Sequence, residues 1–165
     1  MLFISRFLTL TLLLIQTAYA EVLLGRVIGV ADGDTITVLD SSNTQHKIRL
    51  GGIDAPEKKQ AFGNVSKKSL SDMVYLKQVE VEWNKEDRYG RKVGKVLVSN
   101  QDINLEQIKR GMAWFYNKYK RELEQEDRIA YAQAQQEAEA NQTGLWLDKN
   151  PIPPWEFRSI RNSIN

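Results

Sequence analysis

From Leu23 onward the chain is cut into short apolar runs that alternate with polar residues and stop at turn signals, a pattern with the period of strands. Leu23–Val30 ends at Ala31-Asp32-Gly33-Asp34, and Thr35–Leu39 follows with Ile36 and Val38 on one face. Asp40-Ser41-Ser42-Asn43 is turn chemistry. Thr44–Ile53 is therefore expected to fold back as a hairpin partner, with Ile48 and Leu50 on one face and Lys47 and Arg49 on the other. Gly51-Gly52 within that run signals a bulge or a close backbone approach, and Asp54-Ala55-Pro56-Glu57 ends it. Phe62–Leu76 then switches to helical spacing through Phe62, Val65, Leu70, Met73 and Val74. Val79, Val81 and Trp83 restore strand alternation, and Val93–Val98 is the expected partner across the polar loop Asn84–Lys92.

The C-terminal third reads as helix. Asn104 is placed to cap a short helix through Arg110, with Gly111 as its stop. A longer helix is expected from about Arg121 to Ala140, with Gly144 past its end. Leu145-Trp146 and Pro153-Pro154-Trp155 read as an extended tail pinned to the body by its tryptophans. Five strands with one helix between the third and fourth, followed by helices, define an α+β fold. An oligonucleotide-binding (OB) type β-barrel is the natural candidate, as a single domain over residues 21–165.

Composition narrows the chemistry. With 42% hydrophobic and 27% charged residues, the 165-residue chain can bury an ordinary globular core. Cysteine is absent, which excludes thiol nucleophiles, disulfides and cysteine-bound metals. The single histidine, His46, excludes multi-histidine metal sites and sits beside a hairpin turn, where a surface role is expected. Carboxylates, arginines and tyrosines remain. Residues 1–20 place Arg6 before the apolar stretch Phe7–Ile15 and close on Ala18-Tyr19-Ala20, the small-x-small pattern of a signal-peptidase site. They are expected to be a signal peptide, so that the chain is exported, secreted or periplasmic, with no stable membrane association after cleavage. Without Arg6, 22 basic residues face 21 acidic ones, so net charge gives no argument for a nucleic-acid partner. Clustering has to carry it.

Three segments cluster the chemistry: Asp32-Gly33-Asp34-Thr35, Arg49 through Glu57, and Asp87-Arg88-Tyr89-Gly90-Arg91. Each alone has a bland explanation as a turn, a solvated strand charge or a hairpin tip. Taken together, Asp34 and Asp54 can converge if their strands pair, and two carboxylates with carbonyls and water suit a hard cation such as Ca²⁺. Glu57 adds a carboxylate able to hold a water near that cation. Arg49 and Arg91 add two planar forks of donors that match phosphate oxygens. Cation, base and two guanidiniums are the parts needed to hydrolyse a phosphodiester without histidine or cysteine.

These segments resemble the staphylococcal nuclease (thermonuclease) family through Val30-Ala31-Asp32-Gly33-Asp34-Thr35, Ile48–Glu57 and Asp87–Arg91. Weaker matches continue through Gly111-Met112-Ala113, Gly144-Leu145-Trp146 and Pro154-Trp155-Glu156, so the resemblance covers about Leu23–Phe157. It implies a five-stranded OB-type barrel with three α-helices and Ca²⁺-dependent cleavage of DNA and RNA. By that resemblance Asp34, Asp54 and the carbonyl of Ala55 hold the metal, while Arg49, Glu57 and Arg91 are catalytic. Arg88 and Tyr89 match positions that contact a terminal phosphate, and Tyr116 is the ring chosen to stack on a base. The family pattern is cleavage of the P–O5′ bond, leaving 3′-phosphates. Aromatic stacking with a basic groove favours single strands or breathing duplex, and the chain is expected to act as a monomer. Two features depart from the pattern: the loop after Glu57 is short, and the rings Trp114, Phe115, Tyr116 and Tyr119 are spaced differently. A catalytically dead nucleic-acid-binding module and an OB-fold binder of oligosaccharide or protein remain as alternative readings.

Overall fold

In a computed structural model, residues 21–164 are described, and the expected signal peptide over residues 1–20 lies outside them. Strand β1 spans Glu21–Val30, β2 Thr35–Leu39 and β3 Gln45–Leu50. The β2–β3 register sets Ile36 against Ile48 and Val38 against His46, so all inward β-branched residues share one face. The Asp40 carboxylate closes the turn by accepting from the N–H groups of Ser42 and Thr44 at 2.8 and 2.9 Å. His46 lies beside it, its Nε2 2.8 Å from Asp40 Oδ2.

The expected strand Thr44–Ile53 is broken in two. Gly52 adopts φ +73°, and β4 is only Ile53–Asp54, paired with a later strand. Helix α1 runs Gly63–Val74, β5 Gln78–Glu86 and β6 Lys92–Val98. The loop between β5 and β6 is shorter than expected because Lys85 and Glu86 still pair across to Val93 and Lys92. β1 pairs antiparallel with both β2 and β5, and β5 with β6. A parallel pairing of β3 with β6, Ile48 opposite Lys92 and Leu50 opposite Gly94, closes the five strands into a barrel. The α+β barrel expected from the strand pattern is the observed fold.

Strand β7, Gln101–Asp102, leads into α2, Ile103–Lys109. Asp102, not Asn104, caps this helix, accepting from Leu105 N–H at 3.0 Å. Asn104 is buried and joins β3 to β6. Its Nδ2 donates to the carbonyls of Gly51 and Gly94, and its Oδ1 accepts from Val96 N–H. Strand β8, Trp114–Phe115, pairs with β4. Instead of a helix from Arg121, a 3₁₀ segment covers Asn117–Glu122 and α3 begins at Gln125 and ends at Ala140. Leu123 is extended between them because its side chain packs over Gly52, where a Cβ would lie 2.6 Å from Leu123 Cδ1. After a 3₁₀ turn at Gly144–Leu147, α4 spans Pro154–Ile164, where an extended tail was expected. Pro154 supplies the first-turn proline that helices accept.

The core fills the barrel with Val27, Ile36, Ile48, Leu50, Val81 and Val96 and is sealed by Leu70 of α1, Ile108 of α2 and Tyr131 of α3. These helices leave one flank of the barrel, at the ends of β2 and β3, uncovered by core packing. That flank carries the site.

Candidate active site

The turn before β2 is fixed from behind. Gly33 lies so close to α1 that a Cβ would fall 1.9 Å from Ser66 Oγ, and its carbonyl accepts from Gln107 Nε2 at 2.7 Å. Asp34 follows and points into the barrel flank, 5% exposed. Its Oδ1 accepts from the Thr35 hydroxyl at 3.1 Å and its Oδ2 from Ala55 N–H at 2.7 Å. Burial is the main reason its pKa is pushed up to about 7; Arg49 opposes the shift, while Asp32 and Asp54 add to it.

Arg49 extends from β3 away from the core. Its Nη1 donates to the carbonyls of Leu50 and Ile53, both at 2.9 Å, which fixes the plane of the guanidinium. Nη2 reaches Asp54 Oδ1 at 2.9 Å and Asp34 Oδ2 at 3.2 Å, so one cation ties the two carboxylates together. Asp54 is 2% exposed at the end of β4. The convergence expected from the strand pairing is present.

Glu57 anchors its loop by donating its N–H to Gln60 Oε1 at 3.1 Å. Its carboxylate meets Arg158, a residue of α4 that the sequence reading did not single out. Arg158 Nη1 donates to Glu57 Oε1 at 2.8 Å, and Nη2 to Asp54 Oδ2 at 2.7 Å. Partial burial works against the charge of Arg158, but its bonds to Asp54 and Glu57 outweigh that and raise its pKa. The sequence signal was slight: Arg158 directly follows the last residue of the resemblance, Phe157.

On the opposite rim, Arg91 is held by Asp87, with Nε donating to Oδ2 at 2.7 Å, and its Nη1 lies 3.4 Å from Thr35 Oγ1. Burial raises the Asp87 pKa, but the bonds from Arg91 outweigh it and hold the carboxyl below the ordinary range. Tyr89 is 66% exposed at the tip, with Arg88 and Arg91 4.9 and 5.4 Å from its ring centre. Tyr116 is less free than expected. Trp155 stacks on it at 5.2 Å and 15°, and Tyr119 meets it edge-on at 5.0 Å.

All nine residues singled out by the sequence (Asp34, Arg49, Asp54, Ala55, Glu57, Arg88, Tyr89, Arg91 and Tyr116) line one cleft of about 800 Å³, together with Trp155 and Arg158. Among the described residues no group of three or more His, Cys, Asp or Glu is gathered to hold a metal ion. A hard cation replacing Arg49 between Asp34 and Asp54 would find two carboxylates and nearby backbone oxygen. Water and a phosphate would have to complete the shell, a donor set that fits a weakly held Ca²⁺ and not a transition metal.

A family model described as staphylococcal nuclease homologue matches residues 47–148, more than half of the chain. Asp34 and Arg158 lie outside that match. The chain is 48% identical over 133 residues to a Haemophilus influenzae protein named "Uncharacterized endonuclease", covering 81% of this chain and 71% of that one. It is 36% identical over 151 residues to "Micrococcal nuclease" of Shigella flexneri, covering 86% and 84%. It is also 36% identical over 161 residues to "Protein ParB" of Escherichia coli, covering 92% and 88%.

Proposed function

The chain belongs to the staphylococcal nuclease family and is a nuclease, and from that premise we propose that it is an exported, Ca²⁺-dependent endonuclease of DNA and RNA with little sequence specificity. The observation that carries this reading is the guanidinium of Arg49 bridging buried Asp34 and Asp54, in the same cleft as Glu57 and Arg91. Asp34, Asp54 and the Ala55 carbonyl are the residues proposed to hold the cation. When bound, Ca²⁺ would act as a Lewis acid on a non-bridging phosphate oxygen and neutralise part of its charge.

The protein's own groups account for the remainder. Glu57 keeps Oε1 on Arg158, which leaves Oε2 to draw a proton from a water attacking in line, a contribution of about 10²–10⁴ in rate. Once a cation takes its place between Asp34 and Asp54, Nη2 of Arg49 is freed, its plane still set by two carbonyls, and with Arg91, held by Asp87, it is proposed to donate to the equatorial oxygens as charge builds there. Breaking the P–O5′ bond leaves a 3′-phosphate and a 5′-hydroxyl. Arg88 and Tyr89 at the rim are proposed to receive a neighbouring phosphate. Tyr116, backed by Trp155, is proposed to meet a base by its remaining edge. Export is supported by residues 1–20, and the mature chain is proposed to begin at Glu21 and act as a monomer.

Digestion of plasmid and RNA by the chain from Glu21 onward, with Ca²⁺ or with a chelator, tests the reading. Cleavage that needs Ca²⁺ and leaves 3′-phosphates is expected. Equal cleavage in Mg²⁺ would count against the cation site, and binding without cleavage would leave a nucleic-acid-binding module.

A further inference from the structure

Among the described residues, Arg158 is the one side chain that touches both the cation-side carboxylate Asp54 and the carboxylate of Glu57. Its contacts are divided: Nη2 goes to Asp54 Oδ2 at 2.7 Å, while Nη1 serves Glu57 Oε1 at 2.8 Å and Asp54 Oδ1 at 3.3 Å. On Glu57 this is the only hydrogen bond that the carboxylate makes to a described residue, since Gln60 takes its backbone N–H. A glutamate has three rotatable side-chain bonds, so without a partner its carboxylate would sample many positions. Asp54, by contrast, is buried and also held by Arg49, and so gives Arg158 a fixed post to pull against.

The helix that delivers Arg158 is itself docked on the cleft. Trp155, one turn before it, stacks on Tyr116 and meets Trp114 edge-on at 5.7 Å. The incoming chain is tied where Gln60 Nε2 donates to the Ile152 carbonyl at 2.5 Å. The guanidinium is thus placed by packing on the barrel, and its two forks set the distance between Asp54 and Glu57.

We propose that Arg158 is a positioning residue, whose guanidinium fixes the base Glu57 relative to Asp54 so that Oε2 faces the attacking water. This rests on the reading of Glu57 as general base. It makes α4 part of the catalytic apparatus without requiring that Arg158 touch the substrate. Arginine suits the task because a fork can hold two carboxylates in one plane, and a single ammonium cannot fix that geometry.

The test uses the full chain with Arg158→Met, Arg158→Lys, Glu57→Gln and the Glu57→Gln/Arg158→Met double variant. Cleavage of a thymidine oligonucleotide gives kcat and KM, and terbium luminescence gives cation binding apart from activity. For Arg158→Met, kcat should fall by about ten- to a hundredfold, the scale for a misplaced reacting group, with KM changed less than about threefold. Arg158→Lys should fall less and should keep the near-ultraviolet dichroism of the Trp155 stack, which separates lost positioning from an undocked helix. Terbium should bind Arg158→Met no more weakly than the parent, because a positive charge has been removed. In the Glu57→Gln background, Arg158→Met should change the rate by less than about twofold, since both act through one group.

Unchanged kcat, or KM rising in step with the loss, would overturn the proposal, the latter by making Arg158 a substrate contact. Faster cleavage with tighter terbium binding would overturn it by making α4 a guard over the carboxylates. Full additivity in the double variant, or weaker terbium binding, would place the action of Arg158 elsewhere. Full activity in Glu57→Gln alone would overturn the base assignment itself, an outcome read without reference to Arg158.

Discussion

Asp34 is buried at the start of β2, and its charge is a burden on the fold until a cation reaches it. With its folded pKa raised to about 7, the native chain keeps a proton that the unfolded chain loses near pH 4. Stability from this group is therefore present at low pH and lost as pH rises from about 4 to about 7. Asp34→Asn should raise the melting temperature in chelator, and its advantage over the parent should grow between pH 5 and pH 8. A pH-independent advantage would contradict the assignment. Arg91 differs in kind, because its charge is already balanced by Asp87 and its fork is what matters. Arg91→Lys should lower single-turnover cleavage by at least ~10²-fold, the scale for one lost oxyanion donor. Affinity for a non-cleavable single strand should change only a few-fold; equal losses in both would make Arg91 a uniform substrate contact. Nearly all of these residues were legible in the sequence, because their chemistry is concentrated in short segments at strand ends. Arg158 was not. It is a lone arginine whose partner Glu57 lies 101 positions earlier, and no local pattern encodes such a contact.

Among the elements, accuracy depended on what ends each. β2 matches its expected run, Thr35–Leu39, and α1 lies within two residues of its own, whereas the run expected from Thr44 to Ile53 stops at Leu50 because Gly52 turns the chain out of it. Helix starts depended on long-range packing. Asn104 looked like a cap, but the barrel's parallel closure claims its side chain and leaves the capping to Asp102. Leu123 sits in helix-favouring sequence yet leaves the helix to cover Gly52. Two prolines suggested an extended tail where one of them opens α4. The Asn104 bonds tie the end of β3 to β6, beside the parallel ladder. Asn104→Ala would strip a buried N–H of its acceptor and a buried carbonyl of a donor, each worth ~1–3 kcal/mol. Urea unfolding should show a loss of about 3 kcal/mol with an unchanged m value. A loss below about 1 kcal/mol would mean that the closure does not depend on this side chain.

At the scale of the whole molecule, site and fold share their charges. Asp34, whose charge burial opposes, is one of the carboxylates proposed to bind Ca²⁺, so the cation should stabilise the protein as well as serve catalysis. At ten times its dissociation constant, Ca²⁺ should add about 1.4 kcal/mol. For a domain of this size that corresponds to a rise of about 3–6 °C in melting temperature. Asp34→Ala should abolish the rise, and Mg²⁺ should reproduce it poorly; an equal rise in Asp34→Ala would move the cation elsewhere. Among the described residues no helix is long and apolar enough to cross a membrane. The cleft's walls are drawn from widely separated parts of the chain, Asp34 in the first hairpin and Arg158 in α4. Order of synthesis then becomes relevant. In a polypeptide delivered from its N-terminus, the carboxylates of this cleft come well before the guanidinium that spans two of them. A barrel folded ahead of α4 would hold Glu57 without that tether, and the full cutting rate would arrive only with the helix that follows.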